Sequence, residues 1–96
     1  MENIRFEWDE HKNEINKKMH GISFEEARTV FLDPNGLMIP DPDHSEKEER
    51  FVLLGTSNKA NLLVVCHCYR FSETVIRIIS ARKANKNEER QYYDSM

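Results

Sequence analysis

Alternation of apolar and polar residues over Ile4-Arg5-Phe6-Glu7-Trp8 predicts a short strand. Asp9 then has the character of an N-cap, with Lys12 at N3, and opens a helix that runs to about Met19. Ile15 and Met19, four apart, give that helix a narrow apolar stripe and leave most of its surface in water. His20-Gly21 ends it, with Gly21 placed to take the left-handed conformation just past the last turn. Ser23-Phe24-Glu25-Glu26 reads as a capping box: the Ser23 hydroxyl accepts from the amide of Glu26, and the Glu26 side chain reaches back. Phe24, Ala27, Val30 and Phe31 recur at helical spacing and must face a core, before Asp33-Pro34-Asn35-Gly36 stops the helix. Two helices joined by so few residues form an antiparallel or steeply crossed pair on one face of a sheet.

The second half of the chain changes period. Leu37-Met38-Ile39 is a short strand ended by Pro40, which suits an edge. An acidic loop, Asp41 to Arg50, follows; within it Ser45 is placed to cap a single helical turn with Glu48. Phe51–Ser57 and Leu62–Tyr69 are strands joined by Asn58-Lys59-Ala60-Asn61 as a hairpin. On the second of them His67 shares a face with Leu63, Val65 and Tyr69, while Cys66 and Cys68 share the other. A turn at Phe71-Ser72-Glu73 leads into the β-branched run from Thr74 to Ile79, and a charged helix from Asn85 or Asn87 to Tyr93 closes the pattern. The order is β-α-α-β-β-β-β-α. Hairpin-linked strands give a small antiparallel sheet, with two N-terminal helices and a short C-terminal one, so the class is α+β.

A chain of 96 residues with 39% hydrophobic content holds one modest core, and residues 1–96 are read as a single domain. No apolar run approaches the roughly 20 residues of a membrane helix, and the expectation is a cytoplasmic protein with no membrane contact. Cys66 and Cys68 sit too close on one strand to bond to each other, in keeping with reduced thiols. The net charge is −3, but it is unevenly spread. Residues 1–50 carry seven Lys/Arg against 13 Asp/Glu, and residues 51–96 carry seven against four. The later half therefore has a small cationic excess that suits a local phosphate-binding face.

Arg77 interrupts the apolar run, and a guanidinium there needs either a partner or an open cleft. It reads as a group for a phosphate or a transition state, or as half of a structural ion pair with an acidic residue such as Glu49. Arg82 and Lys83 follow where strand gives way to helix, and Arg70 ends the preceding strand. Lys12, Lys17 and Lys18 read first as a solvated helical face, with RNA or partner contact as the other reading. His20 reads first as a helix-capping cation and second as catalytic. Asp41, Asp43 and His44 suggest a metal site only weakly, because adjacent residues on a loop lack the spaced ligands such sites need. The strand thiols are poor nucleophiles. The remaining inventory of Arg, Lys, His, Glu and Tyr suits RNA cleavage without metal or cofactor. The RNA brings its own nucleophile, the 2′-OH, and the protein supplies a proton acceptor, a proton donor and cations. His67 reads first as a partly exposed structural residue; as catalytic candidates, His67 or one of Glu48 and Glu49 is the base, and Tyr93 or His67 the acid. The competing class is a binding module whose basic face only engages a partner protein.

The segments Phe6-Glu7-Trp8-Asp9 with Lys12 and Asn16, and Lys18-Met19-His20-Gly21-Ile22-Ser23-Phe24-Glu25-Glu26-Ala27, resemble the start of BrnT toxins. So do Val30-Phe31-x-Asp33-Pro34, the stretch from His44-Ser45 to Glu48-Glu49-Arg50, and Ile76-Arg77-Ile78-Ile79-Ser80-Ala81-Arg82-Lys83-Ala84 with Glu89-Arg90 and Tyr93. The resemblance covers nearly the whole chain. It implies a RelE-like fold, ribonuclease activity within a type II toxin–antitoxin module, and neutralisation by a BrnA antitoxin. That antitoxin is expected to be a ribbon-helix-helix protein whose dimer holds two toxins and alone touches DNA. With the residue candidates sharpened by the resemblance, the expected catalytic set is Arg77, His67, Glu49, Arg82 and Tyr93, and the expected RNA contacts are Lys83, Arg70, Lys59 and Lys12. The chain departs from the family pattern at Asn58-Lys59-Ala60-Asn61, where a Gly-Arg pair is expected, and Lys59 is left to make that phosphate contact.

Overall fold

Four strands that follow one another in sequence pair as hairpin neighbours, and a fifth arrives from the other end of the chain. The computed structural model describes residues 4–41 and 49–96. The helical turn expected at Ser45–Glu48 and the Asp43 and His44 of the metal reading lie outside the described residues. The elements are β1 (Arg5–Glu7), α1 (Glu10–His20), α2 (Phe24–Thr29), a 3-10 turn (Val30–Leu32), β2 (Leu37–Pro40), β3 (Phe51–Thr56), β4 (Leu62–Arg70), β5 (Val75–Lys83) and α3 (Lys86–Asp94). The sheet order is β1-β5-β4-β3-β2, with β2 on one edge as its proline suggested. β2 through β5 pair antiparallel, but β1 lies parallel to β5, with Glu7 opposite Arg77. The sheet is therefore mixed and not purely antiparallel. Hairpin loops fix only the pairing of sequence neighbours, and β1 is separated from β2 by two helices that carry it to the far edge.

α1 and α2 cover one face, where Ile22, Phe24, Ala27 and Val30 pack on Leu53, Leu63, Val65 and Ile78. α3 covers part of the other face, with Tyr92 against Leu54 and Val64. Burying those apolar surfaces supplies the main drive for folding, at roughly 25 cal/mol per Å². Gly55 matters here because a Cβ on it would sit 2.8 Å from Val30 Cγ1, so the 3-10 turn can approach β3 only over a glycine.

α1 docks in an unexpected way. Ile15 and Met19 are exposed, and the buried residues of the helix are Asn13 and Asn16. Asn13 Oδ1 accepts from the Phe24 amide at 2.8 Å, tying the two helices together. The Asn16 amide nitrogen donates to the carbonyls of Ile22 (2.8 Å) and Ala81 (2.7 Å), and its oxygen accepts from the Ala81 amide at 3.2 Å. Among the described residues β1 pairs only with Val75–Arg77, and no strand covers the outer edge of β5 beyond that point. The Asn16 side chain meets both backbone groups of Ala81 there, as a strand residue would. Asp9 and Gly21 cap α1 as expected, Gly21 at φ 70°. Ser23 caps α2, but Glu26 does not complete the box. It turns instead to the β3–β4 loop, where Ser57 Oγ and Asn61 Nδ2 donate to it at 2.6 and 2.8 Å. That loop offers buried donors that outcompete the helix terminus.

Candidate active site

The decisive local feature is a register shift. Cys66 lies opposite Ser80 and His67 opposite Ile78, which leaves Ile79 as an extra residue on β5. Arg77 and Arg82 are five apart, and in a regular strand they would face opposite sides. The bulge restores the phase: Arg77 pairs with Cys68, Ser80 with Cys66 and Arg82 with Val64, all on the face away from α1 and α2. Two cations thus share one face of the sheet, about 15 Å apart along the strand.

A cleft of about 340 Å³ opens on this face. Val52, Val64 and Ile79 form its apolar floor, and His20, Asp41, Arg50, Cys66, Ser80 and Arg82 supply its polar groups. Arg82 is oriented by a bidentate pair with Glu88 at 2.7 and 2.8 Å, and Glu88 in turn belongs to the capping box of α3. That hydrogen-bonded pair pushes the Arg82 pKa up and the Glu88 pKa down. Burial, reinforced by Asp41, pushes the Cys66 thiol up, so it is not poised as a nucleophile. Among the described residues no three of His, Cys, Asp and Glu converge as metal ligands.

Farther along the face, Arg77 Nη1 meets Glu7 Oε2 at 2.9 Å, and Arg70 Nε approaches the same oxygen at 3.5 Å. The ion-pair partner of Arg77 is thus Glu7, and Glu49 lies elsewhere, in a pocket with Arg70. The structure gathers Arg70, Arg77 and Arg82 on one face. It does not bring His67 to them. His67 is fully buried on the helix side of β4, ringed by Phe31, Phe51 and Tyr69 at 4.8–6.1 Å. Its Nδ1 lies 3.2 Å from the Val65 carbonyl, and its Nε2 has no hydrogen-bond partner among the described residues. Burial pushes its pKa down. Lys83 is exposed at the end of β5, Lys59 at the hairpin tip, Lys12 on the outer side of α1 and Tyr93 on α3. Its neighbour Tyr92 is the buried tyrosine and donates to Asp33. Burial alone would raise the Asp33 pKa, but bonds from Tyr92 and from the amides of Thr56 and Asn35 outweigh it and hold the pKa low.

The sequence offers Asp41 only as a weak metal candidate, His20 first as a helix cap and Arg50 in no site role, whereas the structure brings all three to one cleft. Arg50 stands directly before an apolar strand, a signal like the one that drew attention to Arg77. The helix-capping reading of His20 drew attention away from the cleft. In shape, the chain is similar to the 1.1 Å crystal structure of the Brucella abortus ribonuclease toxin BrnT: TM-score 0.64 and 22% identity, over 90% of this chain and all of that one. No curated protein sequence matches it. The family model described as "Ribonuclease toxin, BrnT, of type II toxin-antitoxin system" matches residues 8–88. A match over that much of the chain, resting on the same fold, establishes that this protein belongs to the BrnT family of ribonuclease toxins.

Proposed function

We propose that this chain is an endoribonuclease that cuts RNA on the open face of its sheet, by acid–base chemistry that needs no metal. The observation that carries this is the bulge at Ile79, which sets Arg77 and Arg82 on one surface beside a cleft that also holds Arg50 and His20. Arg82 and Arg50 grip the scissile phosphate and stabilise the charge that builds on it. The His20 imidazole carries one proton step on the 2′-OH or the leaving oxygen. Glu49 and Tyr93, both exposed, are the candidates for the second step. Arg77, Arg70, Lys83, Lys59 and Lys12 hold flanking phosphates, and His67 acts as a core residue. Cleavage of cellular RNA in the cytoplasm then inhibits translation and growth.

The antitoxin in this reading is a BrnA-type ribbon-helix-helix protein whose dimer carries two toxin chains. Its acidic segment covers the arginine face, so RNA and antitoxin compete, and association is faster at low salt.

The test is purified protein with RNA and with DNA of the same sequence. RNA is cut and DNA is spared, because DNA lacks the 2′-OH. Cutting persists in EDTA; loss on chelation and recovery with magnesium would refute the metal-independent mechanism. Arg82→Ala lowers the rate by about 10²–10³, the usual cost of one transition-state donor. Equal rates in Arg82→Ala and wild type exclude the cleft. A non-cleavable RNA analogue that binds the saturated complex as tightly as free toxin excludes direct occlusion.

A further inference from the structure

A second pocket, of about 270 Å³, opens where β4 turns into β5, lined by Glu49, Phe51, Tyr69, Arg70, Phe71 and Glu73. Nothing in the proposed cleavage chemistry uses its aromatic walls. Phe51 and Tyr69 meet edge to face at 5.5 Å, and the Arg70 guanidinium lies 5.8 Å from the centre of the Phe71 ring. Phe71 is 66% exposed, whereas the other four phenylalanines are buried or half-buried.

The turn that holds it there is strained. Phe71, Ser72 and Glu73 have φ of 52°, 57° and 69°, three successive residues in the left-handed region with no glycine among them. The Thr74 hydroxyl and amide both donate to the Phe71 carbonyl, at 2.7 and 3.3 Å, and brace the turn. Backbone strain of this kind collects at ligand sites, where the surrounding structure sustains it.

The charge in the pocket limits what it can hold. Among the described residues two carboxylates line the pocket with one guanidinium, so a phosphate is not favoured, while Arg70 and Arg77, clustered on Glu7, offer phosphate contacts next door. The occupant must be flat, neutral and able to donate hydrogen bonds from its edge. Unpaired nucleobases fit the first two conditions and stack on aromatic rings. Carboxylates only accept, and they take two parallel N–H donors best. Guanine alone presents adjacent N1–H and N2–H donors on its Watson–Crick edge; adenine and cytosine place an acceptor there, and uracil has a single N–H between two carbonyls.

We infer that this pocket holds one unpaired guanine of the RNA, stacked on Phe71 with its Watson–Crick edge on Glu73. The inference deepens the reading of this chain as an RNA-binding ribonuclease and rests on it. It makes the turn a specificity element, separate from the groups that touch the reacting phosphate.

The experiment measures binding of short 2′-O-methyl oligonucleotides, all uridine except for one central guanosine, adenosine or cytidine, plus an all-uridine control. Wild type binds the guanosine oligomer about tenfold tighter than the others. Phe71→Gly weakens guanosine binding by about tenfold yet raises Tm, because glycine accepts positive φ without strain. A Glu73→Gln variant binds all four alike. Equal binding of the four by wild type, no binding at all, or an unchanged Phe71→Gly variant overturns the inference. So does a Phe71→Gly defect confined to antitoxin capture, which makes the pocket a protein contact. Arg82→Ala separates the two proposals: the base preference is read without cleavage, so it persists in that variant even if the cleft assignment is wrong.

Discussion

Replacing Asn16 with Ala tests how β5 is held beside the cleft. The side chain makes three hydrogen bonds, to Ile22 O at 2.8 Å, Ala81 O at 2.7 Å and Ala81 N at 3.2 Å, and Asn16 is only 6% exposed. A buried backbone group stripped of its partner costs about 1–3 kcal/mol. Three such groups, partly rescued by water entering the space left behind, give a loss of about 3–5 kcal/mol. Small domains have only about 5–15 kcal/mol in all, so the loss is large. Asn16→Asp is the sharper variant. It keeps an acceptor for the Ala81 amide, but it sets a carboxylate against the carbonyl oxygens of Ile22 and Ala81. At neutral pH it should be at least as unstable as Asn16→Ala. Urea unfolding followed by Trp8 fluorescence measures both, with m-values unchanged if the denatured state is the same. A loss under about 1 kcal/mol for Asn16→Ala, or wild-type stability in Asn16→Asp, would refute the account of Asn16 as a substitute for a strand.

Two further perturbations follow from buried contacts. Burial lowers the folded-state pKa of His67, so the unfolded chain binds the extra proton more readily; stability is full above the unfolded value of about 6.5 and falls as pH drops below it, levelling off under the folded pKa. His67→Phe should flatten urea midpoints between pH 7.5 and 5.5, and a slope equal to that of wild type would rule His67 out as its source. Gly55→Ala sets a methyl 2.8 Å from Val30 Cγ1 and 3.2 Å from Asp33 Oδ2, and should cost about 1–3 kcal/mol as β3 and the 3-10 turn part. An unchanged Tm in that variant would show that the contact relaxes freely.

Local signals in the sequence carried most of the fold. Asp9, Gly21, Ser23 and the Asp33-Pro34-Asn35-Gly36 stop act through neighbouring backbone groups, so their roles could be read without knowing the tertiary structure. The inward face of α1 was not legible. Two asparagines face inward because they find backbone partners at Ala81 and Phe24, 65 and 11 residues away, and no hydrophobic pattern encodes that. The parallel placement of β1 was hidden for the same reason. At the candidate site, Arg77 and Arg82 stood out as cations in and after an apolar run, but strand periodicity would have put them on opposite faces. Only the bulge at Ile79 reconciles them, and nothing in Ile78-Ile79-Ser80 announces it. His67 drew attention as a histidine on a strand; its face was assigned correctly, and that face proved to be the buried one.

The parallel pairing of β1 with β5 also bears on the order in which the molecule assembles. β2 to β5 are sequence neighbours and can zip together through short loop closures, whereas the Glu7–Arg77 contact joins residues 70 apart. β1 therefore seats late. With only three residues, it is also among the easiest parts of the sheet to peel away once seated. Each such opening takes Glu7 from both Arg77 and Arg70 and briefly uncovers two guanidinium groups. The strand is in effect a reversible counterion: fraying at this edge raises the positive charge of the face, and under the proposed function an RNA phosphate would compete with Glu7 for the same two arginines.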